Sequence, residues 1–256
     1  GYMRDGKVRL NDFTLGELAR GLCRASRDVP ETLTTLREAV SLGATMNSYA
    51  LTTMFAACKR EQYAYRRAKG KWARDENKKM IETLQEVWNA GRGYHNGYSL
   101  ANAMRTFQLS DREDLALEIF KEGEVKVLDA HALRCALQSY AAVEGLKSAD
   151  KMYRRGKKEG VVIDVGHVNT LLYAAMESGD HVYATKIFDD MVAGAEPSPD
   201  VLSLVYVLSA CAKAKEADVA MEYFERGLKA GIDYDISTID ALLKSCLLYT
   251  SPSPRD

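Results

Sequence analysis

Residues 165–200 read VGHVNTLLYAAMESGDHVYATKIFDDMVAGAEPSPD, and residues 201–235 read VLSLVYVLSACAKAKEADVAMEYFERGLKAGIDYD. The two stretches are one 35-residue pattern written twice, with one extra residue in the first copy. In that copy Val168, Leu171, Leu172 and Ala175 fall at i, i+3, i+4 and i+7. Gly179 and Asp180 then break the chain, Ala184, Ile187, Phe188 and Met191 repeat the spacing, and the run from Gly194 to Pro199 closes the copy. The second copy places Leu204, Val207, Leu208 and Cys211 on one helix and Ala220, Tyr223, Phe224 and Gly227 on the next. Apolar residues at this spacing form a stripe along one side of an α-helix, so each copy is a helical hairpin. Helices this short cannot bury both stripes alone, and successive hairpins have to stack into an all-α solenoid.

Carried outward, the template gives repeats at 12–47, 48–96, 97–129, 130–164, 165–200 and 201–235, with a half-repeat from Ile236. Residues 1–11 read as the tail of a preceding repeat. First helices carry Leu15, Leu18, Ala19 and Leu22; Leu51, Met54, Phe55 and Cys58; Leu100, Ala103, Met104 and Phe107; Leu133, Ala136, Leu137 and Tyr140; and finally Ile239, Leu242, Leu243 and Cys246. Second helices match less evenly: Ala116, Ile119 and Phe120 are clear, as are Ala149, Met152 and Tyr153, and the stretch 32–40 is weak. Every repeat ends on a short polar residue, namely Asn47, Asn96, Asp129, Asp164, Asp200 and Asp235. Such a side chain suits two roles, capping the following helix or contacting a ligand.

Composition fits this reading and narrows the function. Of 256 residues, 46% are hydrophobic and 28% charged, which suits helices joined by short turns and excludes overall disorder. The net charge of −1 announces no nucleic-acid binder, so any such role has to come from local clustering. One cluster stands out: residues 59–79 hold nine Lys or Arg against Glu61, Asp75 and Glu76. Aromatics alternate with these cations in the overlong repeat 48–96, as a segment contacting nucleic acid or an acidic partner would require; the alternative is a solvated helical extension. The five scattered cysteines include no Cys-x-x-Cys pair and read as buried, reduced thiols. No apolar run is long enough to span a membrane. The last residues, 247–256, interrupt the seventh repeat and read as a non-native or disordered tail; the run from Cys246 resembles a translated sequencing adaptor.

Asn169-Thr170-Leu171-Leu172, Ala184, Ile187-Phe188-Asp189-Asp190-Met191 and the closing Pro199-Asp200 resemble the pentatricopeptide repeat motif, with coverage from about residue 12 to 246. The resemblance implies a right-handed superhelix that binds single-stranded RNA along the concave surface lined by first helices, about one base per repeat. It also implies a mitochondrial or plastid location. In that scheme the fifth and last residues of a repeat meet the base edge, and the second packs between adjacent bases. Thr52 with Asn96 then resembles an adenine-preferring pair, and Asn169 with Asp200 a uracil-preferring one. The other fifth residues, Gly16, Ala101, Arg134 and Val205, offer no matching group. Phe13, Tyr49, Tyr98 and His131 are candidates for base stacking, and Arg24, Arg60 and Lys213 for phosphate contact.

Catalytic patterns do not accompany these repeats. The sequence has no zinc-deaminase motif, Walker loop or nucleophile elbow, and the resemblance implies neither cofactor, metal nor small-molecule substrate. The expectation is a non-enzymatic RNA-binding protein acting in transcript processing, stability or translation. The competing expectation is a scaffold subunit of an organellar ribonucleoprotein or other large complex. It would use the cations Lys151, Arg154, Arg155, Lys157 and Lys158, which the family geometry puts on the convex side.

Overall fold

The structure is a computed structural model that describes residues 12–25, 31–32, 34–35, 38, 47–67, 71–123 and 128–250. Within these, side chains are described except at 12–14, 22–25, 61, 64–67, 71–74, 76 and 246–250. The expectations for residues 1–11 and 251–256, for the side chains of Phe13 and Arg24, and for much of the 59–79 cluster and the stretch 32–40 therefore lie outside the described residues.

Twelve helices and no strand are present among the described residues. They are α1 (Asp12–Ala25), α2 (Ser48–Arg67), α3 (Lys71–Ala90), α4 (Gly97–Leu109), α5 (Glu113–Glu122), α6 (Ala130–Val143), α7 (Leu146–Lys158), α8 (Val165–Ser178), α9 (His181–Val192), α10 (Val201–Ala214), α11 (Ala217–Lys229) and α12 (Ile236–Thr250). The chain divides into two compact units, Gly1–Ser139 and Tyr140–Asp256, each described by itself below.

In the first unit α2 packs on α1, α3 and α4, and α4 packs on α5. The quartet Leu51, Met54, Phe55 and Cys58 is wholly buried, as is Leu100, Ala103, Met104 and Phe107. Polar side chains lock neighbouring hairpins where the stripes end: buried Gln108 donates from Nε2 to Cys135 O at 2.8 Å and to Ser139 Oγ at 2.9 Å. The surplus length of repeat 48–96 goes into its helices, since α2 and α3 have 20 residues each where α4 has 13.

The second unit repeats the arrangement. There α8 packs on α7, α9 and α10, and α10 packs on α11 and α12. Leu171, Leu172, Phe188, Leu204 and Leu208 form its fully buried centre; truncating Phe188 to Ala would cost about 3–5 kcal/mol through lost burial and the cavity left behind. Tyr223 stands edge-on to Phe188, with ring centroids 6.0 Å apart, and donates its hydroxyl to Asp189 Oδ2 at 2.8 Å. Tyr183 makes the corresponding link to Asp150 Oδ1, also at 2.8 Å. Both phenols are pushed up in pKa, first by burial and then by the carboxylate that accepts their hydrogen bond, Tyr223 to about 12. They stay protonated, so both links remain donated bonds.

The first helices α4, α8 and α10 stop at the same place. The fifteenth residue of each repeat, Asp111, Gly179 or Lys215, adopts φ of 57°, 71° or 64°. This left-handed turn ends the helix ladder and reverses the chain into the second helix.

Candidate nucleic-acid interface

All six repeat-ending residues cap a helix. Asn47 accepts from the Ala50 amide at 2.8 Å, Asn96 from Ser99 at 2.8 Å, Asp129 from Ala132 at 2.7 Å, Asp164 from His167 at 3.1 Å, Asp200 from Ser203 at 2.8 Å and Asp235 from Thr238 at 3.0 Å. Each satisfies an amide that the first turn would otherwise leave unpaired. Before α4, α8 and α10 the capped residue answers with its own side chain: Ser99 Oγ, His167 Nδ1 and Ser203 Oγ accept from the capping residue's amide. These are capping boxes in which Ser or His stands where Glu or Gln is usual, so the standard signature misses them.

Capping does not exhaust these carboxylates. Asn169 donates from Nδ2 to Asp200 Oδ1 at 3.1 Å and to Oδ2 at 3.3 Å. The fifth and last residues of repeat 165–200 thus stand side by side. Asn169 is 6% exposed and Asp200 is exposed, so the pair has its acidic end toward solvent. Burial works against the charge on Asp200, but the Ser203 and Asn169 amides oppose it, and the carboxyl is held below its ordinary range. The other expected pair is not joined: no hydrogen bond links Thr52, half-buried on α2, to Asn96.

Two of the three described stacking positions carry exposed rings. Tyr49 is 45% exposed, and its ring covers Gly16, where a Cβ would come within 2.3 Å of it. That contact accounts for glycine at a fifth position. Tyr98 is 59% exposed, and its centroid is 6.5 Å from that of half-buried His131. Burial, then the charge of Arg134, lowers the His131 pKa against the pull of Asp129, and Lys59 and Arg105 lower it further.

Of the expected phosphate contacts, Arg60 is exposed on α2. Lys213 donates to Glu177 O at 2.9 Å and lies 3.4 Å from Glu177 Oε2. On α7, three of the five expected cations are also engaged: Arg154 with Asp150 at 2.7 Å, Arg155 with Glu159 at 2.6 Å and Lys157 with Glu196 at 2.7 Å. Lys151 and Lys158 are exposed there. Among the described residues no group of three or more His, Cys, Asp or Glu could hold a metal ion.

No protein-family model and no curated protein matches the sequence. Solved structures do match. The pentatricopeptide repeat protein PPR10 from maize covers 94% of this chain at TM-score 0.55 and 18% identity. PPR10 in complex with an 18-nt psaJ RNA element covers 95% at TM-score 0.58 and 16% identity.

The chain has the pentatricopeptide-repeat fold.

It spans 32% and 38% of those two chains, about a third of each. In pentatricopeptide terms, the structure adds polar residues that sequence reading did not single out. Ser203, the third residue of its repeat, donates to Asn169 Oδ1 at 2.7 Å. In the first unit Lys59 donates to Asn102 Oδ1 at 2.9 Å, and Arg105 donates to Gln138 Oε1 at 3.2 Å. The only signal available for these was a polar residue interrupting an apolar first helix.

Proposed function

We propose that this protein binds single-stranded RNA along the surface carried by its first helices, reading few bases and catalysing nothing. The observation that carries the reading is the Asn169–Asp200 contact, 3.1 Å from amide to carboxylate, at the two positions that base recognition in this fold would use. Amide donors and carboxylate acceptors fixed side by side match the edge of a base and resist rotation. Tyr49 and Tyr98 add exposed rings on which unpaired bases stack. The similar protein PPR10 is described in complex with an 18-nt RNA element, and by that likeness we extend the proposal to organellar transcripts, bound for processing, protection or translation.

The scaffold reading loses part of its basis, because Arg154, Arg155 and Lys157 are neutralised within the chain. The test is fluorescence anisotropy with labelled oligonucleotides of about 20 nucleotides. RNA binding that weakens steeply with salt supports the proposal. Absence of RNA binding at low salt overturns it.

A further inference from the structure

Repeat 130–164 has Arg134 at its fifth position, where a base would find neither amide nor hydroxyl. Its surroundings explain what it could take instead. Helix α4 presents Tyr98, Asn102 and Arg105 along one side, and α6 presents His131, Arg134 and Gln138 along one side, both at helical spacing. The Tyr98–His131 ring contact joins the two rows at one end, and the bond from Arg105 to Gln138 joins them at the other. Arg134 therefore stands in the middle, across from Asn102, whose carbonyl oxygen holds the ammonium of Lys59 from α2.

Three cations are thus gathered on three consecutive first helices of one compact unit. None of Lys59, Arg105 and Arg134 makes an ion pair among the described residues; the hydrogen-bond partners of the first two are neutral amides. Asp129, whose charge is felt at His131, makes no ion pair with these cations among the described residues and accepts the Ala132 amide through Oδ1. By contrast, two first-helix cations of the second unit are compensated: Lys213 lies against Glu177, and Lys244 against Asp240 at 2.5 Å. Like charges held together without a counter-ion repel one another, and an anion placed among them would relieve the repulsion.

We propose that Lys59, Arg105 and Arg134 form a phosphodiester-binding cluster beside an aromatic step made by Tyr98 and His131. The fourth repeat would then grip the RNA backbone instead of reading a base. Arginine suits this task, because its planar guanidinium meets two phosphate oxygens at once. An adjacent base would stack on exposed Tyr98. That the phosphodiester belongs to single-stranded RNA rests on the function proposed above; the cluster itself rests on its own geometry.

The test compares the wild type with the double variant Arg105→Gln/Arg134→Gln, the charge-keeping Arg105→Lys/Arg134→Lys, and Lys186→Gln on α9 as a control for lost charge. Affinity for an oligouridylate of about 20 nucleotides is measured from about 50 to about 300 mM salt. Circular dichroism checks that each variant remains helical. The double Gln variant is expected to bind at least about tenfold more weakly at low salt, with a log–log salt slope smaller by roughly 1.4, the loss of two single-strand phosphate contacts. The double Lys variant should keep most of the slope, and Lys186→Gln should match the wild type. Wild-type binding with an unchanged slope in the double Gln variant overturns the cluster and leaves the RNA reading standing. A wild type that fails to bind at low salt overturns both.

Discussion

Ser203 donates its hydroxyl to Asn169 Oδ1 at 2.7 Å, and this bond fixes which way the Asn169 amide faces. Turned over, the amide would set its carbonyl against the Asp200 carboxylate and its NH2 against a hydroxyl hydrogen. The observed orientation keeps the Nδ2 donor on the Asp200 carboxylate. Ser203→Ala is therefore expected to blunt discrimination at this repeat, with total affinity changing far less, and to cost about 1 kcal/mol of stability through the lost buried bond. Competition binding with oligonucleotides altered at a single base reads the first effect. By the family resemblance, Asn169→Thr should shift the preferred base at one position from uracil toward guanine. If neither variant alters base preference, Asn169 contacts no base.

Helix capping by Asp164 should be measurable without RNA. Asp164→Ala removes the acceptor for the His167 amide at the start of α8 and is expected to cost about 1 kcal/mol. Asp164→Asn should recover most of the loss. Urea unfolding followed by circular dichroism checks both, and equal stability for Asp164→Ala and the wild type would refute the role.

A second stability prediction concerns pH and the first unit. The His95 ring lies flat on the Trp88 indole, with centroids 3.7 Å apart and 14° between planes, and its Nε2 meets Trp88 O at 3.0 Å. Burial lowers the His95 pKa, with the Trp88 bond opposing. A lowered value means the unfolded chain takes up the proton first as pH falls, so stability is full above about 6.5 and declines below it until the folded form also titrates. His131 titrates in the same sense. The wild type should lose unfolding midpoint between about pH 7 and pH 5. His95→Phe should lose distinctly less, and an identical decline in that variant would clear His95 of responsibility.

Backbone strain supplies a stabilising substitution. Lys215 holds the left-handed conformation that Gly179 holds one repeat earlier, at φ of 64° against 71°. Lys215→Gly is expected to gain about 0.5–1 kcal/mol, and Gly179→Ala to lose about 1 kcal/mol. Thermal unfolding midpoints would show the opposite signs.

Helices were legible in the sequence because an apolar residue every three or four positions is a local signal. Leu51, Met54, Phe55 and Cys58 lie within eight residues and are buried together. Gly179 likewise marked its own turn, whereas Asp111 and Lys215 adopt that turn without advertising it. The candidate site was only half legible. Asn169 and Asp200 were found through the repeat register, but Ser203 lies 34 residues from Asn169 and Gln138 lies 33 from Arg105. Partners about one repeat apart meet only after stacking, and nothing local in the chain pairs them. For the same reason Lys213 read as a free phosphate contact until its neighbour Glu177, 36 residues away, was brought against it.

Each repeat-ending side chain belongs by sequence to one hairpin and by hydrogen bonding to the next. Evolution at that position is therefore confined to a small vocabulary, because a residue that recognises a base well but cannot close a helix start would unfasten the neighbouring hairpin. If the protein binds RNA as proposed, retuning it toward a new target means choosing among spellings that also keep the joints shut.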